Sequence, residues 1–100
     1  MACVNDVVFS DEALRLFRKF PKAARSFITA GIREHLAEAD PLQTSQNKFR
    51  LRRPSLFAEY ELRLDRWRVS YRVRKKVVEV VLIGEKRGDN LLIGGEEFIL

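Results

Sequence analysis

The spacing of apolar residues in this chain changes once, near position 49, from a repeat of about 3.6 residues to a repeat of two. Upstream of the switch a buried stripe of helix is implied, downstream alternate faces of strands. Ala13, Leu16, Phe17 and Phe20 recur at i, i+3, i+4 and i+7, while Arg15, Arg18 and Lys19 fall elsewhere. The pattern predicts an amphipathic helix over 11–20. Ser10 stands at its N-cap position, and Asp11 and Glu12 suit the positive end of the helix dipole. Pro21 ends that helix or opens the next. A second stripe through Ala24, Phe27, Ile28, Gly31, Ile32, Leu36 and Ala39 runs to about residue 40. Two helices with almost no linker form a helical hairpin. Gly31 costs about 1 kcal/mol relative to Ala inside a helix. The compensation expected is close approach to the first helix or to the sheet.

The flanking segments read as strands. Val7, Val8 and Phe9 suit a short strand before the helices, and Asp40-Pro41 stops the second helix. After a polar connection (LQTSQNK, 42–48), Phe49 and Leu51 alternate with Arg50 and Arg52 until Pro54. Tyr60, Leu62 and Leu64 alternate with Glu59, Glu61 and Arg63. Trp67, Val69, Tyr71 and Val73 alternate with Arg66, Arg68, Ser70 and Arg72. A short turn near Asp65 joins these two strands as a hairpin. Residues 77–83 (VVEVVLI) are apolar on both faces except at Glu79, which suits a central strand. Residues 84–90 (GEKRGDN) read as a loop, and 91–93 as a last short strand. The expected fold is α+β, a single domain over residues 1–100. An N-terminal strand and a helical hairpin pack on one face of a twisted antiparallel sheet. Alternation then turns Tyr60, Leu62, Trp67, Val69 and Tyr71 toward the helices, and Arg63, Arg66, Arg68 and Arg72 to the open side.

Charge follows the same division. The chain carries 19 Lys+Arg against 14 Asp+Glu. Between Phe49 and Val77 ten basic residues face only Glu59, Glu61 and Asp65, and eight of the ten are arginine. So local a positive charge favours a polyanionic partner, and arginine is the better residue for forked contacts to phosphate. No apolar run approaches the roughly 20 residues that span a bilayer, and the start, MACVNDVVFS, lacks the pattern of a signal peptide. Cys3 is the single cysteine, so no internal disulfide forms and a cytoplasmic location is expected. No nucleotide-binding glycine loop, metal-ligand cluster or Ser-His-Asp set is present, so no cofactor is expected.

Residues 60–84 (YELRLDRWRVSYRVRKKVVEVVLIG) resemble the RelE/ParE superfamily of bacterial toxins. The family shows a strand with a basic residue, a tight turn, and an aromatic-Arg-Val-x-Tyr strand. A charged turn and a Val-rich strand ending near Gly follow. Trp67-Arg68-Val69-Ser70-Tyr71 occupies the aromatic place, and Gly84-Glu85-Lys86-Arg87 resembles the Gly/His-x-x-Arg segment after the last long strand. The Pro21-Lys22 junction of the helical hairpin also resembles the family.

This resemblance implies the toxin of a type II toxin–antitoxin pair, bound in a hetero-oligomer with a cognate antitoxin. RelE-like members cut mRNA on the ribosome as metal-independent endoribonucleases, whereas ParE-like members act on DNA gyrase. By position, Arg63, Arg68 and Arg87 match the catalytic cations of the first kind. Arg66, Arg72, Lys86, Arg52 and Arg53 are the expected nucleic-acid contacts. Two positions depart from the RelE pattern. Glu61 stands where a lysine is common, and Ile93 where a C-terminal tyrosine is expected. These departures keep the ParE-like alternative open, together with an inactive nucleic-acid-binding module.

RNA cleavage needs a group that activates the 2′-OH, charge stabilisation at the phosphate, and a proton for the leaving oxygen. Arginines supply the second but stay protonated, so they serve poorly as acid or base. Glu61 and Glu79 are the acid–base candidates in the strands, with an ion pair to a cross-strand arginine as the other reading of Glu61. His35, in the second helix, is expected at the surface and away from the chemistry.

Overall fold

A computed structural model describes residues 5–51, 58–88, 90–93 and 96–99, with side chains described as far as residue 88. Strand β1 (Asp6–Phe9) leads into helix α1 (Asp11–Arg18) and helix α2 (Lys22–Ile32), which continues as a π-helical turn (Arg33–Ala37). Strands β2 (Lys48–Arg50), β3 (Tyr60–Leu64), β4 (Trp67–Arg74), β5 (Val77–Arg87), β6 (Asn90–Ile93) and β7 (Glu96–Ile99) follow. The α+β class and the helical hairpin stand as expected.

The sheet is mixed rather than wholly antiparallel. Its order is β2-β3-β4-β5-β6-β7, and β1 runs parallel to the first part of β5, from Asp6 beside Val77 to Phe9 beside Val80. Both helices and three strands separate β1 from β5, which leaves ample chain for a parallel return. The two-faced apolar run in β5 suits burial between neighbours. Strand β5 is also longer than expected. Residues 84–87 continue the ladder instead of looping, because β6 supplies partners for Glu85, Lys86 and Arg87.

The helices and sheet enclose one core. Ala13, Ile28, Ile32 and Leu36 from the helical layer meet Leu62, Val69, Tyr71, Val80 and Ile83 from the sheet, all buried. Leu62, Trp67, Val69 and Tyr71 thus take the side that alternation assigns them. Gly31 is explained by contact with β3, since a Cβ there would lie 2.6 Å from both Leu64 methyl carbons. A chain of rings, Phe9–Phe17–Phe20–Trp67, runs beneath α1, with centroid separations of 5.4, 6.5 and 4.8 Å.

Ser10 ties α1 to the sheet. Its Oγ accepts from the Ala13 amide (3.1 Å) and donates to the Val81 carbonyl (3.0 Å). Val81 is the extra residue of a β-bulge, where Ser70 faces Leu82 and Tyr71 faces Val80. The N-cap therefore also satisfies a carbonyl that the bulge takes out of the ladder.

The far end of the second helix is closed by three side chains from separate strands or their approaches. Asn5 Nδ2 donates to the carbonyls of Leu36 and Ala39 (both 3.2 Å). Lys48 Nζ donates to those of His35 (3.1 Å) and Asp40 (2.8 Å), and Tyr71 Oη to that of Pro41 (2.6 Å). Lys48 is buried and sits opposite Leu62, so β2 turns its lysine to the core and Phe49 to the open face.

Candidate functional site

The open face of the sheet is organised in rows of directly opposed residues. Arg63 of β3 faces Arg68 of β4, which faces Gly84 of β5. The neighbouring row is Phe49, Glu61, Ser70 and Leu82. Lys86 follows Gly84 by two residues and takes the same face by alternation. Arg63, Arg68 and Lys86 therefore form one cationic corner, and the glycine beside Arg68 leaves the surface there low.

Local contacts position the two arginines. Arg63 Nε donates to Glu61 Oε1 at 2.9 Å, and its guanidinium carbon lies 4.1 Å from the centroid of the Phe49 ring. Arg68 folds back over its own turn, donating to the carbonyls of Asp65 (2.5 Å) and Trp67 (3.0 Å). Among the described residues no carboxylate lies within ion-pair distance of Arg68. Burial pushes its pKa down from the ordinary arginine value, the nearby Arg63 charge adds to that, and Glu61 and Asp65 oppose it. It remains a cation. Two like charges placed directly opposite on adjacent strands repel, and Glu61 offsets part of that repulsion. A phosphate between them would offset more.

Arg72 shares this face but is engaged by Glu79 at 2.7 Å. At the edge, Arg74 beside Glu59 (2.6 Å) holds that carboxyl below the usual carboxylate range.

Three expected positions differ. Arg66 is not on the open face: it belongs to the two-residue turn between Leu64 and Trp67, where Asp65 has a φ of 56° and strand alternation no longer applies. Its Nε reaches Glu85 Oε2 at 3.1 Å. Arg87 and Lys86 are strand residues rather than loop residues. Arg87 shares the parity of Ile83 and Glu85, so it lies on the helix side, 3.1 Å from Glu85 Oε1. The structure thus brings Arg63 and Arg68 together and places Arg87 on the other side of the sheet. Arg52 and Arg53 lie outside the described residues.

Arg66 and Arg87 border a cleft of about 790 Å³ between the α1–α2 junction and this end of the sheet. Phe20, Phe27 and Trp67 line it, and Lys19 stands on its rim. Sequence periodicity assigns Phe27 to the buried stripe, yet it is 48% exposed. Phe49 and Glu85 join the site's surroundings without any signal from the local pattern. Apolar alternation puts Phe49 on the core face, and the charged, glycine-flanked setting of Glu85 suggests a loop.

Acid–base groups near the corner are few. Glu61 is bound by Arg63. The Tyr71 phenol is buried against Pro41, and that burial drives its pKa well above the ordinary phenol range. His35 lies by the 43–48 connection, away from the corner. Among the described residues, no three His, Cys, Asp or Glu side chains gather as metal ligands, and no helix is long and apolar enough to cross a membrane.

The fold and site define an α+β domain with a cationic corner on the open face of a mixed sheet. No protein-family model, curated protein or solved structure matches the chain.

Proposed function

We propose that this chain is the toxin of a type II toxin–antitoxin module, of the RelE/ParE kind, acting on mRNA at the ribosome. The observation that carries the reading is the direct pairing of Arg63 with Arg68 on the open face, with Lys86 beside them. Two forked guanidinium groups on adjacent strands match a phosphate's oxygens and favour the charge that develops there during strand cleavage. In this reading Glu61, hydrogen-bonded to Arg63, would accept the 2′-OH proton, and the Lys86 ammonium on the same face would protonate the leaving oxygen. Arg87, on the opposite side of the sheet, is left out of this set. A cognate antitoxin that masks the basic corner would complete the module.

A second reading, a gyrase-directed toxin without nuclease activity, is supported by the buried Tyr71 phenol and the displaced Arg87. Induced expression without antitoxin, followed by mapping of mRNA 5′ ends and of plasmid supercoiling, separates the two. Growth arrest with new mRNA ends, abolished by Arg68→Gln, is the expected result. Arrest with intact mRNA and altered supercoiling would replace the first reading by the second. Harmless expression would overturn both.

A further inference from the structure

We propose that the cleft at the α1–α2 junction is a second nucleic-acid subsite, which stacks a base of a single strand whose adjoining phosphates the open face grips. It rests on the nucleic-acid reading of that face and extends it around the end of the sheet. Three observations support it. The cleft is lined by Phe27 and by Phe20, whose ring centroid lies 4.8 Å from that of Trp67, with the cations Lys19, Arg66 and Arg87 outnumbering the carboxylates Asp65 and Glu85. Its volume, about 790 Å³, falls within the roughly 300–1,000 Å³ of small-molecule sites. Phe27 is half exposed although Ile28, Gly31 and Ile32 of the same helical stripe are buried.

The turn at Asp65 and Arg66 joins the two surfaces. On one side Arg68 binds the Asp65 carbonyl, and on the other the Arg66 guanidinium lies 5.3 Å from the Trp67 ring centroid. A strand crossing this turn passes Arg68, Arg66 and Arg87 beside the carboxylates of Asp65 and Glu85, and ends against aromatic rings. A flat base beside a phosphate suits that pairing of ring and guanidinium, since any base stacks on an aromatic face. Glu85 holds Arg66 and Arg87 at the mouth until a phosphate competes for them.

Trp67 is the single tryptophan and lies at the cleft, so it reports occupancy. The probe is a hexamer of adenylate RNA carrying a 5′ fluorescein for anisotropy, and its unlabelled form for quenching of Trp67 emission. Binding should quench Trp67 in the full chain. Phe27→Ala should lower affinity about tenfold and remove the quench, the loss of one base–aromatic stack. Circular dichroism of that variant checks that it is folded, and Phe27→Tyr should restore both signals. Arg63→Gln with Arg68→Gln should lower affinity yet retain the quench at saturation. Unchanged affinity and quench in folded Phe27→Ala would overturn the subsite. So would an acidic aromatic peptide that quenches Trp67 where the RNA does not. A quench that persists in a protein causing no mRNA cleavage would count against the toxin reading alone.

Discussion

The two ends of the helical layer are built on opposite terms. At the end of α2 near the π-helical turn, the carbonyls of His35, Leu36, Ala39, Asp40 and Pro41 are bound by Lys48, Asn5 and Tyr71. Polar groups are buried there and matched, as burial demands. At the other end, where α1 meets α2, Pro21 offers no side-chain cap, Phe27 is exposed, and arginines border an open cleft. One end holds the layers together, and the other leaves open the cleft that we propose as a binding site. Substitutions at the first should cost stability, and at the second binding.

The largest effect is expected at Lys48. Lys48→Met keeps the length of the side chain but leaves two carbonyls without their charged donor, which costs about 3 kcal/mol. That lowers the thermal midpoint by more than about 10 °C in a domain of this size. A midpoint within a few degrees of the unsubstituted protein would mean that this end is not the stabilising one.

Tyr71→Phe should cost less, about 1–2 kcal/mol, by leaving the Pro41 carbonyl unpaired. It should also change the pH dependence. Burial raises the Tyr71 pKa, with smaller contributions in the same direction from Tyr60 and Asp40. The folded protein therefore keeps a proton that the unfolded chain releases above about pH 10. This contribution to stability is whole below that pH and is lost as pH rises beyond it. Urea midpoints at pH 8 and pH 11 should fall further apart in the unsubstituted protein than in Tyr71→Phe, and equal gaps would contradict the assignment.

The smallest effect on stability is expected at Glu85. Its partners Arg66 and Arg87 are 62% and 70% exposed, so the pairs contribute under about 1 kcal/mol. Glu85→Gln should leave the thermal midpoint nearly unchanged while raising oligonucleotide affinity, because it frees both cations. A large loss of stability would erase the contrast between the two ends.

How much was legible in the sequence follows the same physics. The faces of Arg63, Arg68 and Arg72 can be read from alternation alone, because each lies within a regular strand. Arg66 escapes the rule because it is a turn residue beside Asp65 in a left-handed conformation. Arg87 escapes because a segment rich in charge and glycine reads as a loop, and only pairing with β6 makes it a strand. The bulge at Val81 shifts the phase of a run that is apolar on both faces, so the local pattern carries no sign of it. Lys48 is the clearest case. A lysine in a polar connection reads as solvated, and its role emerges only once the end of the second helix comes within its reach. Apart from Arg66, which its own turn displaces, long-range partners rather than local preference decided these positions.

The platform formed by Arg63 and Arg68 is tested most directly by the salt dependence of binding to single-stranded RNA. Affinity for an adenylate hexamer would be measured from low to moderate salt, for the unsubstituted protein and for Arg63→Gln with Arg68→Gln. Removing two phosphate-binding charges from a single-strand complex should flatten the logarithmic slope by about 1.4. Equal slopes would mean that these guanidinium groups touch no phosphate, and the open face would lose its assigned role.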